Sequence, residues 1–359
     1  MKRTATLLIF ILAFTLCSFA QKGSYVIGFY NLENLFDTYH DDGKNDYDFL
    51  PEGSYKWTEA KYEKKLHNMA SAIRAMADEN KVFHTILGVS EIENRHVLED
   101  LVSQPEIESA RFQIVHYDGP DRRGVDVALL YRPDQFKVLD SKSIPYTFDS
   151  KDIVFDMDEA GKANFRTRDI LMVRGTLAGE MIAVFVAHLP SRIGGKGNDL
   201  RSRGGEIIYE ESMKLEEEFP GIKIFVMGDM NDNPTDDSMV KYMHGKEFVE
   251  EVQEKDFFDP FLSMFKAGYG SLAYRGEWNI YDIILCNAPV VTDKGGLHII
   301  PIVKRGKKHF YGRVFNAPML TQQTGQYKGT PFRTNSGGNF IGGYSDHYPT
   351  YIVVTNKKQ

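Results

Sequence analysis

Cysteine is almost absent from this chain, which has two in 359 residues, Cys17 and Cys286. Cys17 lies in an N-terminal segment expected to be removed, so the mature protein has no intrachain disulfide. Its stability must then come from a buried core or a bound metal. Cys286 sits in the apolar run I-I-L-C-N, where a buried structural thiol is expected rather than a nucleophile. There is no H-E-x-x-H and no cysteine cluster, and this argues against zinc. Neither G-x-x-x-x-G-K-[ST] nor G-x-S-x-G occurs, so a nucleotide-loop ATPase and a serine hydrolase are both unsupported. No low-complexity linker and no repeat of solenoid period interrupts the chain.

Positive charge is also in short supply. The formal net charge is −7, and it becomes −9 once Lys2 and Arg3 are removed, leaving 41 basic against 50 acidic residues. Such a balance speaks against a polyanion binder working by bulk charge. It leaves room for a phosphate-ester substrate met by a divalent cation and a local basic patch.

Long apolar runs are missing except at the start. Lys2 and Arg3 precede Leu7–Leu16, and Ser18-Phe19-Ala20 offers small residues at a cleavage site, the layout of a secretory signal peptide over residues 1–20. The run is short for a membrane anchor, and Leu16 is bulky where a lipoprotein signal prefers a small residue. An exported protein spanning 21–359 as one domain is expected, with no transmembrane segment after cleavage.

What is present is a rich apolar content, 42% of residues, enough for a sizeable core. Strand-like segments are read at Tyr25–Tyr30, Thr85–Val89, Phe112–His116, Val125–Tyr131, Ile170–Leu177, Met181–Ala187, Lys223–Met227, Ile280–Leu285 and Tyr348–Val354. Trp57–Met76, capped near Thr58, Arg95–Val102 and Arg203–Phe219 read as helices. The mixture of tight hairpins and helical crossovers predicts two packed sheets flanked by helices, in the α/β class, rather than one doubly wound sheet. Residues 147–164 are acidic and irregular. Residues 296–343 carry Lys304, Arg305, Lys307, Lys308, Arg313, Lys328 and Arg333, either a substrate-shaping loop or a solvated surface insertion.

Polar residues recur where the apolar runs end. Glu91 closes G-V-S-E, and a carboxylate there suits a hard divalent cation. Asn31 in F-Y-N-L-E-N is placed alike, to ligate the metal or orient the glutamate. Asp229 and Asn231 in V-M-G-D-M-N can orient and deprotonate an attacking water, or close an Asx turn. His188 in V-A-H-L-P-S-R and His347 in S-D-H-Y-P can donate to a phosphoryl oxygen or a leaving oxygen. Asp282 in Y-D-I-I-L can hold one of those imidazoles. Arg166 and Arg168 in F-R-T-R-D-I are candidates to neutralise a phosphate, with surface salt bridging the blander alternative.

The order N-L-E-N, S-E-I-E-N, A-L-L-Y-R, H-L-P-S-R, G-D-M-N, Y-D-I-I-L, S-D-H-Y-P resembles the endonuclease/exonuclease/phosphatase superfamily, from Asn31 to Thr350. The resemblance implies a four-layered α/β sandwich and Mg²⁺-dependent cleavage of phosphate esters by direct water attack, with Mn²⁺ or Ca²⁺ as alternative ions. It implies that Glu91 is the principal metal ligand, Asn31 its amide neighbour, and Asp346 a metal-side or orienting carboxylate. It further implies that Asp229 activates or orients the water with Asn231 beside it, that His188 and His347 contact phosphate, and that Asp282 partners a histidine. Two departures stand out: Ser90 replaces a usual glutamine, and Asp126 stands where relatives carry Asn or a small residue, suggesting a pairing of Asp126 with His188. The expected protein is a monomeric, exported, nuclease-like phosphodiesterase acting on DNA or RNA, with no stable protein partner implied. The alternatives are a phosphatase, a sphingomyelinase-like lipid phosphodiesterase with His309-Phe310-Tyr311 as its aromatic hairpin, and, least favoured, a silent binding protein of the same fold.

Overall fold

Parallel strand pairs joined by helical crossovers place this chain's chemistry at one rim. The computed structural model describes residues 23–148, 165–192, 198–274, 276–304, 307–308 and 310–357. The expected signal peptide and most of the irregular 147–164 segment lie outside them. The first sheet holds β1 (Ser24–Leu35), β2 (Ile86–Ile92), β3 (Gln113–His116) and β4 (Asp126–Tyr131), with the late strands β14 (His298–Ile300), β17 (Gly312–Val314) and β20 (Thr350–Thr355), in the order β14-β20-β1-β2-β4-β3 and with β17 also on β20. The second holds β5 (Phe136–Ile144), β6 (Ile170–Leu177), β7 (Glu180–His188), β8 (Lys223–Asp229), β9 (Gly245–Lys246), β10 (Phe257–Phe258) and β13 (Asp282–Asn287), in the order β5-β6-β7-β8-β13-β10-β9. Small hairpins pair β11 (Leu272–Tyr274) with β12 (Glu277–Asn279), β15 (Val303–Lys304) with β16 (Lys307–Lys308), and β18 (Asn335–Ser336) with β19 (Asn339–Phe340).

Helix α1 (Glu59–Asn80) connects β1 to its parallel neighbour β2, and α3 (Asn198–Glu218) connects β7 to its parallel neighbour β8. Helix α2 (Arg95–Val102) packs beside α1 and β3. The inner faces of the sheets meet where β1, β2 and β4 contact β7, β8 and β13, giving the four-layered sandwich. Apolar side chains fill that seam: Phe29, Leu129, Val184, Met227 and Ile284 are fully buried, each removing apolar area worth about 25 cal/mol per Å² from water. The sheets come close at Gly88, where an added Cβ would lie 2.5 Å from Met227 Sδ.

Several elements end differently from the reading by pattern. β1 runs on through Asn31-Leu32-Glu33-Asn34 with a register shift before Leu35. Glu33 and Asn34 there take left-handed φ of 47° and 53°. β5 has no counterpart among the strands read from the sequence. It is an edge strand paired only with β6, and its polar, partly exposed stretch Lys137–Ser143 hides it from an apolar pattern. Thr58 is the N-cap of α1, but its side chain makes no capping bond; Asn94 Oδ1 does cap α2, accepting the Val97 N–H at 3.1 Å. Cys286 is buried in β13 and its thiol pKa is raised by that burial, as expected of a structural cysteine.

One core residue makes stability pH-dependent. His84 is 0% exposed and neither ring nitrogen has a hydrogen-bond partner. It lies under Gly28 and edge-on to Tyr351. Burial pushes its pKa from 6.5 down to about 4. The unfolded chain therefore takes up the proton first, so stability is complete above pH 6.5 and is lost as pH falls towards 4. The expected loss is about 3 kcal/mol. Urea melts at pH 7 and pH 4.5 should show a steeper fall for wild type than for His84→Leu, and equal falls would contradict this.

Candidate active site

The C-terminal ends of β1, β2, β7 and β8 carry Asn31, Glu91, His188 and Asp229 to one rim. Register explains the convergence: Asn31 pairs with Ser90, and His188 pairs with Asp229. From the antiparallel side, β13 begins at Asp282 opposite Asp229, and Asp346–His347 immediately precede β20. Glu91 is the extra residue of a bulge between β2 and β4, with φ 56°. Bulges of this kind re-aim a side chain, here into the cleft. Glu33, Asn34, Glu91 and Asn231 all have positive φ, a local backbone cost that persists at sites of function.

Asp229 is the centre. Its Oδ2 accepts from Asn31 Nδ2 at 3.0 Å and its Oδ1 from the Asn231 N–H at 3.0 Å. Asn31 Nδ2 also donates to Glu91 Oε1 at 3.3 Å, while its Oδ1 accepts the Glu33 N–H at 2.8 Å. The Asn31 NH₂ group thus bridges and orients the two carboxylates, while its oxygen accepts a single N–H and keeps a second lone pair. Asn34 N–H holds the other Glu91 oxygen at 3.0 Å. His188 Nε2 lies 3.8 Å from Glu91 Oε1 and 3.7 Å from Asp229 Oδ2. His347 Nε2 is 3.8 Å from the same Asp229 oxygen, and its Nδ1 pairs with Asp282 Oδ2 at 2.8 Å. Asp282 is fully buried, and its Oδ2 also accepts from Ser271 Oγ at 2.5 Å. Asn231 Nδ2 donates to Leu189 O at 2.9 Å. Asp346 lines the cleft, 4.0 Å from His347 Nε2 and 3.8 Å from Arg333.

Crowded carboxylates away from water set the electrostatics. Burial raises the Asp229 pKa; His347 opposes this, while Asp282 and Glu91 add to it. Burial alone would lower the His347 pKa, but Asp282, Asp229 and Asp346 outweigh it and hold the imidazole pKa well above 6.5. One oxygen or nitrogen each from Glu91, His188 and Asp229 lies within 4.8 Å of the others. That donor set, with two carboxylates held side by side by Asn31, fits a hard divalent cation.

Two residues singled out from the sequence serve other ends. Asp126 does not pair with His188. Its carboxylate accepts the Gly119 N–H at 3.0 Å and meets His116 Nε2 at 3.3 Å, because His116 comes alongside from the adjacent strand β3. Arg168 lines the cleft but spends its guanidinium elsewhere: Nε on His188 O at 3.1 Å, Nη2 on Leu189 O at 3.0 Å, and Nη1 on Asp121 Oδ2 at 3.1 Å. It is a buried strut beneath His188 rather than a phosphate contact. Arg168→Met is expected to lower stability by about 3–5 kcal/mol, since Asp121 is left without its partner; a urea midpoint equal to wild type would refute this. Arg166, by contrast, lines the open cleft.

Pattern reading passed over the supports. Arg192, at the end of H-L-P-S-R, donates to Asn231 O at 2.9 Å and Asp232 Oδ1 at 2.6 Å. Arg201 reaches the same Asp232 oxygen at 2.6 Å, and Ser238 the other at 2.6 Å. Together they fix the loop after Asp229. Gly228 allows strand packing and not ligand approach, since a Cβ there would lie 2.0 Å from Ala187 O.

The fold and this rim together define a class, the metal-dependent phosphoesterases. The chain belongs to the Endonuclease/Exonuclease/phosphatase family, whose model matches residues 26–356. Among solved structures it is similar to an endonuclease/exonuclease/phosphatase family protein from Bacteroides thetaiotaomicron, at 13% identity and TM-score 0.53, covering 94% of this chain and 100% of that one. It is similar at 13% identity and TM-score 0.51 to the mannosyl-6-phosphatase Bt3783 of Bacteroides thetaiotaomicron, over 92% and 99% of the two chains. D. rerio TDP2 complexed with single strand DNA product has 12% identity and TM-score 0.50, over 92% and 99%. Among curated proteins, no sequence matches. The chain is an enzyme of phosphoester hydrolysis that depends on a divalent metal.

Proposed function

We propose that this enzyme is an exported, Mg²⁺-dependent phosphodiesterase of nuclease type. The observation that carries the reading is the cleft around Asp229, about 820 Å³, in which Arg123 and Arg166 stand beyond the histidines and Phe165, Tyr274 and Tyr281 form aromatic walls. Cations spaced along a cleft follow a backbone of phosphates, and exposed aromatics offer stacking surfaces to bases. Tyr274, 48% exposed on the β11–β12 hairpin, carries that surface outward. The likeness to TDP2 solved with a single-strand DNA product supports the same reading.

A Mg²⁺ ion held by Glu91 beside Asp229 would neutralise phosphate charge. Asp229, buried and steadied by Asn31 and Asn231, is placed to take the proton of an attacking water. His347, held by Asp282 at Nδ1, presents Nε2 to a phosphoryl or leaving oxygen, and His188 presents its Nε2 from the other side.

A second reading, a phosphatase, is favoured by a side cavity of about 730 Å³ that shares Phe165, Arg166 and Thr167 with the cleft. Tyr146, Phe148, Asp118 and Asp169 also line it. Aromatic rings with carboxylates suit a neutral hydroxylated leaving group better than another phosphate, and the likeness to a mannosyl-6-phosphatase agrees. A lipid phosphodiesterase has less support, because Phe310 and Tyr311 pack edge-on against Tyr269 and Phe258 instead of standing out as a hairpin; His309 lies outside the described residues. Among those residues, no helix is long and apolar enough to cross a membrane.

Nicking of supercoiled plasmid by the purified protein with Mg²⁺ tests the first reading. Nicking that EDTA abolishes is the expected result. No nicking, together with release of inorganic phosphate from sugar phosphates, would replace it with the second.

A further inference from the structure

Behind the catalytic rim lies a second set of polar contacts that the motifs do not explain. Lys65 on α1 is 0% exposed, a rare place for a lysine. Its Nζ donates to Thr334 Oγ1 at 2.5 Å and to Tyr344 O at 2.6 Å. One helical turn on, Asn68 Nδ2 donates to Gly342 O at 3.0 Å and Gly343 O at 2.5 Å. From β1, Glu33 Oε2 accepts the Thr334 N–H at 2.6 Å. One helix face and one strained strand residue thus grip both ends of the segment 334–344, whose tip is the β18–β19 hairpin.

The residues that follow this segment are Ser345, Asp346 and His347. Ser345 Oγ donates to Asn31 O at 2.7 Å and accepts the His347 N–H at 3.1 Å. The path from α1 to the chemistry is therefore short: Lys65 to Tyr344, then Ser345 to Asn31 and His347. Burial lowers the Lys65 pKa, and the charges of Glu33, Asp346 and Glu91 oppose that shift, so the ammonium faces the acidic rim from behind. The Asp282 contact fixes only one ring nitrogen of His347; its backbone is held on one side by the Tyr348 N–H on Ser271 O at 2.7 Å and on the other by Ser345, which the clamped segment delivers. Small misplacements of a catalytic group cost rate steeply.

We propose that Lys65 and Asn68, together with Glu33, form a clamp that sets the Asp346–His347 turn against Asp229, making Lys65 and Asn68 positioning residues for phosphoester hydrolysis. The proposal rests on the assignment of the rim as the hydrolytic site. Its test uses Lys65→Met and Asn68→Ala, each checked for folding by melting temperature and assayed well below it. With bis(p-nitrophenyl) phosphate and Mg²⁺, kcat should fall at least about tenfold while KM changes less than about twofold. In proton NMR, the His347 Nδ1–H resonance shared with Asp282, identified by its loss in His347→Gln, should shift or broaden in both variants. If Lys65→Met does not fold, Asn68→Ala decides. Folded variants with wild-type kcat and an unmoved resonance would overturn the clamp. The resonance is read without substrate, so a wild type that turns over no phosphate ester would count against the hydrolytic assignment and leave the clamp separately testable.

Discussion

Asp229→Ala is expected to lower kcat/KM by about a hundredfold to ten-thousandfold, the range for loss of a positioned acid–base group, without unfolding the protein. The side chain is 2% exposed, its pKa is raised by burial and by nearby Asp282 and Glu91, and two donors hold it in place. A carboxylate kept where water does not solvate it is costly to stability, and such groups persist where function needs them. Asp229→Asn keeps the volume and one acceptor for Asn31, so it should melt at the wild-type temperature or above while remaining inactive. Turnover within tenfold of wild type in either variant would remove Asp229 from the mechanism.

His347→Gln is expected to cost about a hundredfold to a thousandfold in kcat, by analogy with removal of one preorganised donor. The dyad makes a pH prediction as well. Burial pulls the His347 pKa down, but the Asp282 carboxylate at 2.8 Å leads the groups that carry it well above 6.5. A histidine with a raised folded pKa stays protonated through neutrality, and its contribution to stability is present below pH 6.5 and lost as pH rises through the folded value. The charged donor should therefore set the alkaline limb of the activity profile, while protonation of the Asp229 base, whose pKa is raised, sets the acid limb. Asp282→Asn removes the foremost of those partners and should move that alkaline limb to lower pH. A pH–rate profile unchanged in Asp282→Asn would show that the pair does not act as a unit.

Much of this arrangement is legible in the chain because strands write their ends plainly. The runs ending at Glu91, His188 and Asp229 are apolar enough to be strands, and each stops on a polar residue. Ile170–Leu177 and Arg95–Val102 form with the bounds their patterns imply. β5 was hidden because an edge strand carries polar residues on most of its length. Asp126 misled because sequence says it lies at a strand's end but not which neighbour it faces, and β3 supplies His116 there. Arg168 looked like a phosphate ligand because a guanidinium's partners, here two carbonyls and Asp121, cannot be read from its own segment. The clamp from Lys65 to Tyr344 crosses 279 residues, a contact that no local periodicity encodes.

The central claim is that Glu91 and Asp229 together make this rim a divalent-metal hydrolytic site, and the most direct test is the rate of bis(p-nitrophenyl) phosphate hydrolysis against Mg²⁺ concentration for wild type and Glu91→Gln. Wild type should be inactive in EDTA and rise saturably with Mg²⁺, while Glu91→Gln should need at least about tenfold more metal or fail to respond, as expected when a charged ligand is lost. Full turnover in EDTA, or a Glu91→Gln curve that overlays the wild type, would contradict the account.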